Sequence, residues 1–390
     1  MNLTDAQQEQ VITLTSELVR AESLAGQERQ AVEVAARWMR SLGYDEVRTD
    51  EYGSLVGKRQ GSGPGKSLHF DGHIDVVAAT TPDAWRYPPF SGQIADGRIW
   101  GRGATDMKGP LAAMICALGF LPRQAFRGTL TMSASVGEEG WEGGALAAIL
   151  RRHPADAVVI GEPTGLVLGF AQKGRAGITV KARGRAAHTS VPERGVNAVY
   201  RMFEAVSRIR GISLPEDEVL GRGVQELIEM ISSPYPGDTI VPDGCQARFD
   251  RRLVTGETPE TMLEGVRAAL RDVEGTTAEC PEIVLRCYTG AELRMDDFHQ
   301  AWVMARDHEL IQAALAAMRA EDLPETLFAA PYCTNGSLSA GVMGIPTIIF
   351  GPSDAGLAHI VDEHIQIEQL LRGTSAFAAI AQAYLGSGYV

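Results

Sequence analysis

Leu68-His69-Phe70-Asp71-Gly72-His73-Ile74-Asp75 is an apolar run that ends in a His-x-Asp pair. Residues two apart on an extended chain share a face, so the His73 imidazole and the Asp75 carboxylate lie on one side. One can hold a metal ion while the other steadies the ligand's second ring nitrogen. Taken alone, the pair is equally a buried histidine beside an acid. It gains weight because Asp106, Glu138-Glu139, Glu162 and His359 also follow predicted strands or turns. His69 shares the face parity of His73 but belongs to no such motif, and is read as structural.

Outward from this strand the chain alternates. Thr4 caps a predicted helix to about residue 20, and a second helix over 28–42 stops at Gly43. Residues 47–50 and 54–58 read as strands around the Tyr52-Gly53 turn, and residues 79–98 as a long ordered loop rich in proline and aromatics. Pro110 opens a helix to about residue 121. A strand over 129–136 runs into Gly137-Glu138-Glu139-Gly140, a helix covers 144–152, and a strand over 156–160 ends in Gly161-Glu162-Pro163-Thr164. Strand alternating with helix predicts an α/β domain around a mostly parallel central sheet. The pattern then changes to strands at 176–183, 226–232, 245–251 and 283–288 with helices at 197–210 and 258–273, an antiparallel α+β unit. Longer helices and an apolar strand at 347–350 follow. The expected division is a catalytic domain from residues 1–174 and 293–390, with an inserted domain at 175–292.

Composition bounds the partners. With 390 residues, 45% hydrophobic and 22% charged, the chain can bury a sizeable core. A net charge of −13 with no basic stripe disfavours nucleic acid or an anionic membrane as partner. Cys116, Cys245, Cys280, Cys287 and Cys333 are scattered and read as reduced thiols in the cytoplasm. No signal peptide and no run of ~18 apolar residues is seen, so no membrane span is expected.

Sites in open α/β sheets form beyond the carboxyl ends of strands. Two histidines and several carboxylates there suit a divalent ion, with zinc favoured by nitrogen ligands and manganese or cobalt as alternatives. Two ions a few ångströms apart need a bridging carboxylate. In Glu138-Glu139 one acid can ligate while its neighbour takes a proton from the activated water. Each position has a plainer reading: a core histidine at 73, a helix cap at Asp106, a solvated helix start at Glu138-Glu139, a turn at Glu162 and an exposed loop residue at His359. Their joint occurrence after strands argues for the site. No Gly-x-Ser-x-Gly elbow occurs, which argues against a serine hydrolase.

His73-Ile74-Asp75, the run Gly101 through Gly109, Gly137-Glu138-Glu139, Gly161-Glu162-Pro163-Thr164 and Ala358-His359 together resemble the metallohydrolase family of acetylornithine deacetylase, succinyl-diaminopimelate desuccinylase, aminoacylase and glutamate carboxypeptidase. The resemblance covers nearly the whole chain. It implies a di-zinc catalytic domain, an inserted lid or dimerisation domain, and a homodimer. It implies Asp106 as the bridge, His73 and Glu162 on one metal, Glu139 and His359 on the other, Asp75 orienting His73, Glu138 as general base, and a cis peptide at Asp106-Met107. Gly184-Arg185-Ala186-Ala187-His188-Thr189-Ser190 resembles the lid motif whose histidine stabilises the oxyanion in the partner's site, a role that falls to His188. Asp250-Arg251-Arg252 resembles Asp-x-Arg, placing Arg252 on a substrate carboxylate. Thr239 stands where asparagine usually precedes Ile/Val-Pro, so its contact with oxyanion or carboxylate has a different reach. Cys333-Thr334-Asn335-Gly336-Ser337 stands at a substrate-pocket position, which brings in Asn335 as a substrate-binding residue and Cys333 as either pocket-lining or buried. With residues 191–198 and 249–253 this stretch is most similar to the selenium-metabolism-associated hydrolases. The implied reaction is amide hydrolysis of a small N-acyl amino acid or dipeptide with a free carboxylate. A non-catalytic binding or scaffold protein on the same fold would be expected to lack ligands or base, and none is missing.

Overall fold

The computed structural model describes residues 2–386. The opening helix, Asp5–Arg20, begins with a capping box in which the Thr4 and Gln7 side chains each accept from the other's backbone. Ser67–His73 lies inside a nine-stranded sheet. It pairs in parallel with Thr129–Ser135 on one side and Ala157–Ile160 on the other, and Thr347–Ile349 adds in parallel beyond. Antiparallel strands Glu46–Thr49 and Leu55–Gln60 finish one edge, and Leu168–Gln172 with Trp302–Val303 the other.

Ala157–Ile160 shows why the centre is covered on both faces. Ala157 and Val159 enter one core with the helices Asp5–Arg20, Gly109–Phe120 and Ile367–Leu385. Val158 and Ile160 enter another with Leu146 and Leu150 of the helix Gly144–Arg152. A strand buried on both faces reads as a continuous apolar run, which is what its sequence is.

A second sheet runs Val224–Ser233, Gly244–Leu253, Gly174–Arg183, Thr276–Glu279, all antiparallel. The helices Ala198–Arg210 and Pro259–Leu270 pack on it around a core of its own, including Ile178, Val180, Met202, Phe249 and Val266. The expected strand near 283–288 does not join this layer. Glu282–Arg286 pairs with Glu292–Asp296 in a separate hairpin. That hairpin is drawn onto the first sheet's surroundings, where Leu285 meets Gly137 and the Tyr288 hydroxyl donates to the Gly53 carbonyl at 2.9 Å.

Two loops carry more order than their sequence suggested. Within 79–98, Gln93–Ala95 starts a three-stranded sheet completed by Arg98–Trp100 and His364–Gln366. Ala104–Lys108 is a kinked turn of helix with non-helical Asp106 and Met107, and the Asp106-Met107 peptide is cis, as the resemblance implied. No helix among the described residues is long and apolar enough to cross a membrane.

Candidate metal centre

The parallel strands end at one rim. Ser67–His73 delivers His73 and then Asp75; Thr129–Ser135 leads through Gly137 to Glu138 and Glu139; Ala157–Ile160 leads to Glu162. Gly137 makes the turn at φ 68°, and a Cβ there would lie 2.2 Å from Leu285 Cδ2. His359 arrives from the loop after Thr347–Ile349 with its own backbone at φ 63°, a left-handed conformation that non-glycine residues keep mainly where the surroundings hold them.

Asp106 sits between the imidazoles. Its Oδ1 lies 3.1 Å from His73 Nε2, and its Oδ2 lies 3.3 Å from His359 Nε2. His359 Nε2 is also 3.1 Å from Glu139 Oε2. Glu138 Oε2 and Glu162 Oε1 are each 3.9 Å from His73 Nε2. His73 Nδ1 lies 3.0 Å from the Asp75 carbonyl and donates to it, which leaves Nε2 to face the carboxylates. The Asp75 carboxylate oxygen is farther, at 3.7 Å. Its two oxygens instead accept the Glu138 and Glu139 backbone amides at 3.0 Å each. Asp75 therefore positions the ring through its carbonyl and the acid pair through its side chain.

The electrostatics are those of a site short of positive charge. Burial alone would lower the His73 pKa, but Glu138, Asp106 and Glu162 raise it well above the usual imidazole value. Asp106 and Glu139 raise His359 to about 10. Burial, with mutual repulsion among the acids, pushes Glu138 and Glu162 well above the carboxylate range, and burial raises Glu139. Burial works against ionised Asp106, yet its contacts with His359 and His73 hold its pKa well below normal. Four carboxylates crowd two imidazoles. His73, Glu138 and Glu162 offer ligand atoms within 4.8 Å of one another, as do His73, Asp106 and Glu139. Divalent cations fit this oxygen-and-nitrogen donor set and balance its charge.

The cluster opens into a cavity of about 440 Å³ that Arg252, Tyr332 and Cys333 also line. Arg252 is therefore brought to the site, and Cys333 is pocket-lining. Asn335 is not. It is 3% exposed, its amide nitrogen donates to Asp71 Oδ2 at 2.8 Å and Ser135 Oγ at 3.1 Å, and its oxygen accepts the Gly143 amide. With both ends of the amide engaged internally, the expected substrate contact is withdrawn. His188 and Thr239 lie together on the second sheet's unit, exposed and outside the cavity. Thr189 donates its amide to the Thr239 carbonyl at 3.2 Å, and His188 Nδ1 pairs with Ser190 Oγ at 2.8 Å.

Sequence reasoning passed over several supports. Glu363 accepts the amides of Thr105 and Asp106 at 3.0 and 3.1 Å and pairs with Arg102. Glu142 and Arg175 line the cavity as an ion pair. The Glu142 signal, a third acid four residues after Glu138, was on view; Glu363 had only an ordinary loop context.

The chain is similar to known proteins along most of its length. The model of peptidase family M20/M25/M40 matches residues 69–383. The protein YgeY of Escherichia coli K12 is 30% identical over 391 residues, covering 95% of this chain and 93% of that one. A succinyl-diaminopimelate desuccinylase of Cereibacter sphaeroides is 26% identical, covering 92% and 94%. Among solved structures, the Bacillus subtilis YXEP protein, a dinuclear metal binding peptidase, superposes with a TM-score of 0.66 at 15% identity, covering 98% and 99%.

Proposed function

The chain belongs to peptidase family M20/M25/M40 and is a metal-dependent hydrolase of amide bonds, and we propose that it acts on small N-acyl amino acids or dipeptides with a free carboxylate. The observation that carries this reading is Asp106, with one oxygen toward His73 and the other toward His359. Asp106 would be shared by two divalent ions, one of which His73 and Glu162 would hold and the other Glu139 and His359. Zinc suits the set best, with cobalt or manganese as alternatives. Such ions would supply Lewis acidity to the scissile carbonyl and would make water a nucleophile near neutral pH.

Glu138 takes the proton of the attacking water and delivers it to the leaving nitrogen. The C–N bond breaks, giving a carboxylic acid and an amine. Asp75 holds the backbone of Glu138 and Glu139 in place. Arg252 receives the substrate carboxylate. Residues 1–174 and 293–390 carry the metal ligands and base, and residues 175–292 form a lid and dimerisation domain that lends Arg252 to the cavity. In a homodimer His188, with Thr239 beside it, serves the oxyanion of the neighbouring site. Support comes from the exposure of His188 and from the exposed apolar residues Tyr200, Phe203, Ile228 and Ile231 on the same unit. Five free cysteines support a cytoplasmic location.

Glu138→Gln should bind metal as wild type does and lose roughly 10³-fold in turnover. Wild-type turnover in that variant would refute the base assignment. Less than one ion per chain after chelator-free purification, with no activation by zinc, cobalt or manganese, would refute the metal centre.

A further inference from the structure

Beyond the metal-ligand cluster the cavity wall carries two guanidinium groups, Arg175 and Arg252, and one more carboxylate, Glu142. Arg175 is fully engaged. Its Nη1 donates to Glu142 Oε2 at 2.5 Å, its Nε donates to Asp250 Oδ1 at 3.1 Å, and its Nη2 lies 3.3 Å from Asp297 Oδ1. The buried His299 ring places Nε2 3.3 Å from the same Glu142 oxygen. Arg252 is different. Its Nε meets Asp250 Oδ2 at 2.9 Å, and among the described residues nothing takes its two Nη groups. Asp250 thus anchors both forks, and only the Arg252 fork is open to a ligand.

We propose that Glu142 is a specificity-determining residue: it fills the Arg175 fork from within, so the cavity accepts substrates with a single carboxylate and rejects acyl groups that carry a second one, such as succinyl. This rests on the amide-hydrolase reading above. A diacid half-amide would place its distal carboxylate where an internal carboxylate is already seated. It would have to displace a prepositioned charge-assisted pair between Glu142 and Arg175. A neutral acyl group meets no such barrier.

The test uses the full-length, zinc-loaded protein. Wild type, Glu142→Gln and Glu142→Asp are assayed on N-acetyl and N-succinyl forms of one amino acid, and succinate and acetate binding is measured by calorimetry. Wild type should prefer the N-acetyl substrate. Glu142→Gln should shift the succinyl-to-acetyl ratio of kcat/KM upward by roughly tenfold or more, through KM rather than kcat, and should gain affinity for succinate over acetate. Glu142→Asp, which keeps the charge, should stay near the wild-type ratio. A wild-type preference for N-succinyl, or an unchanged ratio and succinate affinity in Glu142→Gln, overturns the proposal. If Glu142→Gln fails to fold, a wild-type preference for the N-succinyl substrate still overturns the proposal, and the Glu142→Ala ratio takes the place of the Glu142→Gln ratio. The two readings fail separately. N-acetyl hydrolysis with unchanged ratios sinks only the role of Glu142. Succinate affinity gained by the variant, with no amide cleaved by wild type, sinks only the hydrolase reading.

Discussion

Glu363→Gln should cost the protein both stability and metal. Glu363 and Arg102 form an ion pair with side chains 0% and 2% exposed, and the Trp85 ring lies 5.3 Å from the guanidinium carbon. Burial pushes the Glu363 carboxyl up to about 7, so the comparison is made above that pH, where glutamine keeps an oxygen for the Thr105 and Asp106 amides but removes the charge that balances Arg102. Stranding one partner of a buried pair costs about 3–5 kcal/mol, whereas an exposed pair such as Arg319–Glu325 contributes about 0–1 kcal/mol. The Asp106 amide is held by the same carboxylate at 3.1 Å, so the ligand it carries loosens as well. Disturbing such a support typically lowers metal affinity 10–100-fold, roughly. Urea unfolding of chelator-stripped protein reads the first effect, and titration against a chromophoric chelator reads the second. Arg102→Met combined with Glu363→Gln should recover most of the stability, because no buried cation is left unpaired. A Glu363→Gln protein within ~0.5 kcal/mol of wild type, with unchanged metal affinity, would refute the reasoning.

Burial pushes the Glu28 carboxyl from 4.5 to about 7. Its contribution to stability is then fully present below pH 4.5 and is lost as pH rises through 7, a change of about 3 kcal/mol. Glu28→Gln should remove that dependence, and equal slopes of unfolding free energy between pH 5 and 8.5 in the two proteins would count against it. Gly137→Ala should cost about 1–3 kcal/mol and most of the activity, since the new methyl meets buried Leu285 at a left-handed φ of 68° and moves the turn carrying Glu138; unaltered thermal unfolding and turnover would argue otherwise. If His188 serves the neighbouring site, an equal mixture of His188→Ala and Glu138→Gln chains should regain about a quarter of wild-type activity. Failure of the mixture to exceed either variant alone would exclude a shared site.

His73, Glu139 and Glu162 were legible because each ends or follows an apolar strand within a few residues. Strands that are buried on both faces announce themselves, and their carboxyl ends converge by topology. His69 was legible as structural because it belongs to no ligand motif. It lies on the strand, its Nε2 meets Ser133 Oγ at 2.7 Å, and burial lowers its pKa to about 3, so it stays neutral. Leu168–Gln172 and Leu327–Ala330 were not legible. They are short, with no decisive period, and become strands through tertiary pairing: Leu327–Ala330 with Leu168–Gln172, and Leu168–Gln172 also with Thr347–Ile349 and Trp302–Val303. Asn335 shows the opposite error. Its polar, pocket-like context suggested a substrate contact, but fully buried Asp71 needs donors and takes them from Ser133, Ser135 and Asn335. An unsatisfied buried carboxylate costs more than an unmade contact to a ligand, so the amide turns inward.

Asp75 shows how far a motif fixes a geometry. A His-x-Asp pair suggests a carboxylate behind the imidazole, but here the Asp75 carbonyl at 3.0 Å holds the ring. The carboxylate is thereby released to accept two amides at the start of the Glu138–Trp141 turn. Negative charge at exposed helical N–H groups is favourable, and the arrangement puts it to a second use. One residue on the strand Ser67–His73 side of the rim now fixes a histidine ligand, and across the strand gap the acid pair to which base and ligand belong. The two-residue spacing in the sequence encodes the neighbourhood; which atom of Asp75 meets which partner is decided by where the parallel strand Thr129–Ser135 ends.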